Sequence, residues 1–288
     1  MTKAIVTIVK NRKRMKFKRL IILASLCLPM GAVQAQADDN DDFGVWTEIS
    51  VKKELTQTLD LGFEGEIRTG NNSSTIDRLS GGIALSYKPS KYFKFGASYI
   101  FYGDYSAEKE SKHAYFEDGE LASYRLTPGY WKPNHRFYVE GTATKKFWKW
   151  LRISVRERYQ FNHEAETSID RTEFEREEYF TPNGVERGDW ESYNVPKINE
   201  CQSQQRLRTR VKFEYDKKGV NWSPFVSVEL YNGINDKMHL QKIRTGVGTE
   251  YKINKQHKVG MAYLYSCHLN EAPNEHKHAL NISYGFDF

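Results

Sequence analysis

Two runs of alternating basic residues carry the strongest chemical signal in the chain. Arg152, Arg156 and Arg158 recur at even positions of one segment, and Arg206, Arg208, Arg210 and Lys212 at even positions of another. Side chains on a β-strand alternate between its two faces, so each run lies on one face. Like charges on neighbouring strands repel, and something must compensate them. Glu64, Glu66, Glu140, Glu214, Glu229 and Glu250 fall on the same inward phase and would form a salt-bridged interior. The sharper reading is an anion-selective constriction, because rings of Arg or Lys line pores for anions and phosphates. The same residues serve both readings.

Other chemistry is weaker. A hydrolase needs a nucleophile, a base and an orienting group within hydrogen-bond reach, and Ser266, His268 and Glu271 are the nearest local grouping. Nothing around them matches a lipase, deacylase or protease barrel, so no catalytic residue is assigned and the chain reads as a non-enzyme. His276 and His278, with Glu275 and His268 nearby, fall short of the three or four ligands that zinc requires. They read as solvated residues, and neither metal nor cofactor is expected. Cys201 and Cys267 fall on the same side of the fold in a compartment that permits disulfides. A bridge between them is one reading and two free thiols the other.

The amino terminus explains the overall charge. Seven Lys or Arg between Lys10 and Arg19 precede an apolar run from Leu20 to Met30, followed by small residues that offer a cleavage site after Ala35. That is a secretory signal peptide over residues 1–35, too short in its apolar part to span a bilayer as a helix. The formal net charge of +6 owes most of its sign to this leader, which holds no acid. Without it the chain is slightly acidic, and nucleic-acid binding loses its support.

The elements that must position the inward charges are strands. Val45, Thr47, Ile49 and Val51 alternate with Trp46, Glu48, Ser50 and Lys52, and the pattern recurs to Leu280, Ile282, Tyr284, Phe286 and Phe288. Strands of roughly 9 to 11 residues with such alternation cross a membrane as a closed barrel, and this keeps the average composition polar. The mean hydropathy of −0.71 and the 14% aromatic content fit that arrangement, the aromatics serving as interfacial girdles. Short turns near 55, 90, 148, 218 and 255 alternate with longer connections, above all 105–134 and 162–204. The second of these holds Glu164, Glu166, Asp170, Glu173, Glu175, Glu177 and Glu178, a solvated acidic surface or a recognition site.

Eleven strands are legible, yet bacterial single-chain barrels normally have an even number. Twelve is therefore the expected count. The terminal strand must end in the periplasm and the first strand must then descend, which leaves the segment 36–44 to reach the outer rim, extended through the lumen. Glu157 breaks the outward phase between Val155 and Tyr159. A bulge, an interfacial position or self-association on that wall would each accommodate it.

Several short motifs carry a family resemblance. They are Trp46, Glu66-Ile67-Arg68, His135-Arg136-Phe137, Arg152, Arg156-Glu157-Arg158-Tyr159-Gln160, Pro224-Phe225-Val226 and Arg244-Thr245-Gly246-Val247-Gly248. Over most of residues 43–288 the chain resembles a bacterial outer-membrane barrel family catalogued as domain of unknown function 2490. The resemblance implies a fold and no catalytic residues.

Together these readings give an all-β transmembrane antiparallel β-barrel of about ten to twelve strands over residues 45–288, in a Gram-negative outer membrane. Short periplasmic turns and long extracellular loops flank it. Its expected role is a small passive channel or structural barrel. A surface binding protein acting through the loops comes next, and a lipid-modifying enzyme last. Lipid, lipopolysaccharide and the barrel-assembly machinery are the expected partners.

Overall fold

The computed structural model of the chain describes residues 41–182, 184–269 and 275–288. The leader over 1–35 and the segment 36–40 lie outside these residues. Strict alternation dictates what forms: among the described residues there are seventeen strands and no helix. Outward Ile49, Phe63, Phe95, Phe137 and Met261 are exposed, while inward Trp46, Tyr102, Gln160 and Glu229 are buried. Apolar outside and polar inside inverts a soluble protein.

Eleven of the strands close into one barrel: β1 (Asp41–Glu54), β2 (Leu59–Gly70), β3 (Thr75–Tyr87), β4 (Phe93–Ser106), β7 (Tyr130–Phe147), β8 (Leu151–Glu164), β13 (Gln202–Tyr215), β14 (Trp222–Gly233), β15 (His239–Lys252), β16 (His257–His268) and β17 (His276–Asp287). Ten neighbouring pairs are antiparallel. The eleventh, β1 with β17, is not. The Phe288 N–H donates to the Lys52 carbonyl at 2.8 Å, and the Phe288 carbonyl accepts from the Glu54 N–H at 3.1 Å. One residue bonding both neighbours of Lys53 is the parallel pattern. The parallel seam corrects the expectation of twelve strands: it lets an odd sheet close while the first and last strands run the same way. Residues 41–44 belong to the wall as the start of β1.

The rims differ less than expected. Two connections opposite the short turns, 71–74 and 234–238, are themselves short. The two long connections are folded. They contain β5 (Lys109–Tyr115), β6 (Leu121–Thr127), β9 (Thr167–Glu175) and β12 (Glu191–Asn199), paired in the order β12-β9-β6-β5. These strands continue β4, β7, β8 and β13 after two-residue interruptions and keep their order, so four adjacent wall strands rise above the rim as one sheet. Tyr124 stacks on Phe174 at 4.6 Å, Trp190 meets Tyr124 edge-on at 5.1 Å, and Arg125 pairs with Glu173 at 2.6 Å. A small hairpin, β10 (Glu178–Thr181) with β11 (Gly184–Arg187), is tied to the β5–β6 turn through Arg187, which pairs with Asp118, Glu120 and Glu178.

The outer wall satisfies its few polar groups locally. Glu157 faces outward and accepts a hydrogen bond from Thr209 Oγ1 at 2.9 Å, directly across the β8–β13 pair. His135 and Tyr99 bond at 2.9 Å, as do His257 and Tyr284 at 2.6 Å. Cys201 and Cys267 are free thiols, which corrects the bridged reading. Cys267 lies on β16 and Cys201 just before β13, with β14 and β15 between those strands. Three strand spacings amount to about 14 Å, twice what a disulfide spans between Cα atoms.

Two outcomes follow from these contacts. Deleting Phe288 removes its two seam hydrogen bonds and the stacking of Lys53 on its ring at 5.2 Å; the loss is about 1–3 kcal/mol. It should appear as a lower temperature for the heat-dependent mobility change on a detergent gel, while Phe288→Ala, which keeps the backbone bonds, shifts it less. At the hairpin, the hydrogen bond from Arg187 holds the Asp118 carboxyl below its ordinary value of 3.8. A depressed carboxyl stabilises above that value, and the contribution is lost as pH falls through the lowered pKa. The β10–β11 hairpin should therefore become more susceptible to an acid protease as pH drops below 3.8, and Asp118→Asn should abolish that dependence.

Candidate functional site in the barrel interior

The even phase of each strand fills the interior in tiers. At mid-height β8, β13 and β14 bring Arg156, Arg208 and Glu229 together. Glu229 accepts from both guanidinium groups, from Arg156 Nη2 and from Arg208 Nη2 at 3.1 Å, and from the Tyr231 hydroxyl at 2.9 Å. Arg208 also donates to Gln160 Oε1 at 2.8 Å. On β7, Glu140 accepts from Arg158 at 2.6 Å and lies 3.6 Å from Arg156, while Arg158 covers the Tyr138 ring at 3.7 Å. Gln160, Tyr231, Glu229 and Arg156 are 2, 4, 5 and 8% exposed, so this tier packs the interior and excludes most water. Removing one partner of such a buried pair costs far more than the pair contributes over an apolar filling.

The tier toward the short turns is charge-matched along β7, β8, β13 and β15, whereas Lys52 on β1 and Lys94 on β4 form no ion pair among the described residues. Arg152 pairs with Glu214 at 3.1 Å and Asp216 at 2.5 Å, and Lys212 with Glu214 and Glu250, each at 2.8 Å. Lys146 shares Asp216 at 2.9 Å. Of the acidic set, Glu66 binds Arg68 at 2.7 Å, whereas Glu64 accepts from Ser98 at 3.0 Å and Tyr138 at 3.4 Å. Five of the seven ladder residues thus meet carboxylates. Arg206 donates to Gln241 at 3.1 Å instead, and Arg210 forms no ion pair among the described residues.

The tier toward the long connections is built differently. Three buried rings carry cations: Trp46 lies under Arg68 at 4.0 Å and Arg244 at 4.8 Å, and Tyr102 under Arg136 at 4.3 Å and Arg78 at 4.5 Å. Tyr231 meets Lys242 at 4.4 Å and Arg208 at 4.5 Å. Rings attract cations through their negative faces. Arg78 also pairs with Asp104 at 2.5 Å. None of Arg68, Arg78, Arg136, Lys242 or Arg244 stood among the ladder residues, nor did the rings. They share the inward phase of their strands, and that phase was the signal available.

The remaining groupings dissolve or fall outside view. Ser266 Oγ accepts from Arg244 Nε at 3.0 Å, His268 lies 3.0 Å from Glu275, and Glu271 is outside the described residues. His276 and His278 face outward from β17 toward the hydroxyls of Tyr265 and Tyr263, at 2.9 and 2.5 Å. No group of three metal-ligating side chains occurs among the described residues.

Comparison with known proteins agrees with this architecture. The translocator domain of the autotransporter NalP from Neisseria meningitidis superposes with a TM-score of 0.52 at 11% identity, covering 86% of this chain and 85% of that one. The β domain of the Bordetella autotransporter BrkA gives a TM-score of 0.40 at 11% identity, with 85% and 97% covered. At such identity the NalP likeness concerns the fold, an outer-membrane type of β-barrel. A search of the curated proteins returns no match. The profile of the family described as "Protein of unknown function (DUF2490)" matches residues 43–277, nearly the whole barrel, and the chain belongs to that family.

Proposed function

We propose that the chain is a non-enzymatic outer-membrane barrel, exported by a cleaved signal peptide, whose lumen is sealed by side chains and whose outer sheet serves recognition. The observation that carries this reading is the mid-height tier, where Glu229 is 5% exposed between two arginines and Tyr231. A small barrel can be filled by its own inward side chains, whereas wide ones leave an aqueous channel. Long Arg, Glu and Tyr side chains meet across this one. The short turns then face the periplasm and the four-stranded sheet the exterior, among lipopolysaccharide. The sheet's exposed Tyr115, Tyr193 and Ile198, with Phe180 on the small hairpin, offer contact area to a partner.

A passive anion channel is the second reading, favoured by the excess of cations over carboxylates in the tier nearest the sheet. Planar-bilayer recording separates the two. Folded protein inserted at low density should give no steady ohmic current, and a reproducible current would replace the sealed barrel with the channel. Glu229→Gln leaves Arg156 and Arg208 without their shared carboxylate, and should lower stability against heat or denaturant by about 3–5 kcal/mol.

A further inference from the structure

Four cations in the tier nearest the external sheet form no ion pair among the described residues. Arg136, Arg206, Lys242 and Arg244 each lack a carboxylate within ion-pair distance among the described residues, unlike Arg68, Arg78 and Arg208 beside them. Among the described residues the three arginines donate through Nε, to Asn162 Oδ1 at 2.9 Å, Gln241 Oε1 at 3.1 Å and Ser266 Oγ at 3.0 Å. Those bonds fix each guanidinium plane and leave its terminal N–H groups available. A guanidinium so presented is the group that recognises phosphate oxygens bidentately.

Arg136 lies over the Tyr102 ring, and Lys242 and Arg244 over the Tyr231 ring, in the same tier. The four cations stand on β7, β13 and β15, along an arc of five consecutive wall strands. Arg244, Arg206, Arg208 and Arg68 lie within electrostatic reach of the Lys242 ammonium, and Arg78, Arg68 and Arg208 within reach of Arg136, so Arg68 and Arg208 are common neighbours of both. Beneath them the Tyr102 and Tyr231 rings are each 4% exposed, while the four cations keep part of their surface. The Tyr231 ring borders the mid-height tier through its hydroxyl, and the cations on and beside these rings are only partly buried. A fold that assembles repelling charges and fixes their hydrogen-bond directions is prearranged for an anion of several charges.

We propose that Arg136, Arg206, Lys242 and Arg244 form a binding site for a multivalent phosphorylated anion, reached from the side of the external sheet. The site does not depend on the lumen being sealed: a current in the bilayer would overturn the sealed reading and leave this one standing.

The test uses full-length processed protein in nonionic detergent at low salt, titrated calorimetrically with inorganic pyrophosphate and, separately, with lipid A, a bisphosphorylated glycolipid, in mixed micelles. Binding of pyrophosphate identifies a soluble phosphate compound as sufficient, and binding of lipid A alone identifies a membrane headgroup; either upholds the site. The double variant Arg206→Gln, Arg244→Gln should bind at least about tenfold more weakly, since each charge-assisted bond contributes that much or more. Stability supplies a second readout. Lys242→Gln removes a repelled charge and should melt no lower than the parent without anion, yet pyrophosphate should raise the melting temperature of the parent alone. No heat from either ligand, or unchanged affinity in variants that melt like the parent, would overturn the proposal.

Discussion

Closing an odd number of strands forces one parallel seam, and in this chain the seam between β1 and β17 sets the direction of everything else. Because Phe288 bonds to both neighbours of Lys53, the first strand must run as the last one does. Asp41 then begins at the rim where the long connections rise, opposite the rim where Phe288 ends. The same direction places β4, β7, β8 and β13 so that their ends nearest the long connections are neighbours, and only neighbours can extend into a shared sheet. The parallel seam thus governs which ends of the wall are available to build upon.

Within the closed wall, parity does the rest. Each strand offers one apolar and one polar face, and closure turns the polar faces on one another across a narrow interior. Charges there cannot remain hydrated, so they survive by pairing, as Arg156, Arg208 and Glu229 do. Such pairs contribute little net stability compared with an apolar core. Their effect is to fix side chains in one arrangement, because Glu229 has no second partner set to move to without stranding an arginine. Tyr138 and Tyr231 add rigid surface between the ions, each accepting a guanidinium on its face.

Much of this was legible in the sequence, and the reasons for the gaps are physical. Alternation alone places Ile49, Phe63 and Met261 outside and Glu140, Arg158 and Glu229 inside. The density of arginines on two strands made the ladder visible, whereas Arg68, Arg136 and Arg244 stand one or two to a strand and become a cluster only when the sheet curls. The external sheet was hidden for another reason. Its first strand, Lys109–Tyr115, is mostly polar on both faces, and its stacking pair, Tyr124 with Phe174, joins segments some fifty residues apart. The odd strand count looked like an error because the sequence shows strands but not which pairs close. The four adjacent external strands likewise follow from closure rather than from local preference.

Along β7, β8 and β13 the pairing of charge changes from one end of the lumen to the other. Toward the short turns Arg152, Lys146 and Lys212 are each within 3.1 Å of a carboxylate. At mid-height the matching persists with fewer ions and more burial. Nearer the external sheet the carboxylates thin out and aromatic rings and neutral amides take their place. An unpaired charge costs least where water can still reach it, and Arg136, Arg206, Lys242 and Arg244 are each only partly buried. Clefts lined by one sign of charge between low-dielectric walls concentrate the opposite sign from solution. If the middle of the barrel is sealed as proposed, the positively lined space above it would act as an electrostatic cup opening beside the sheet.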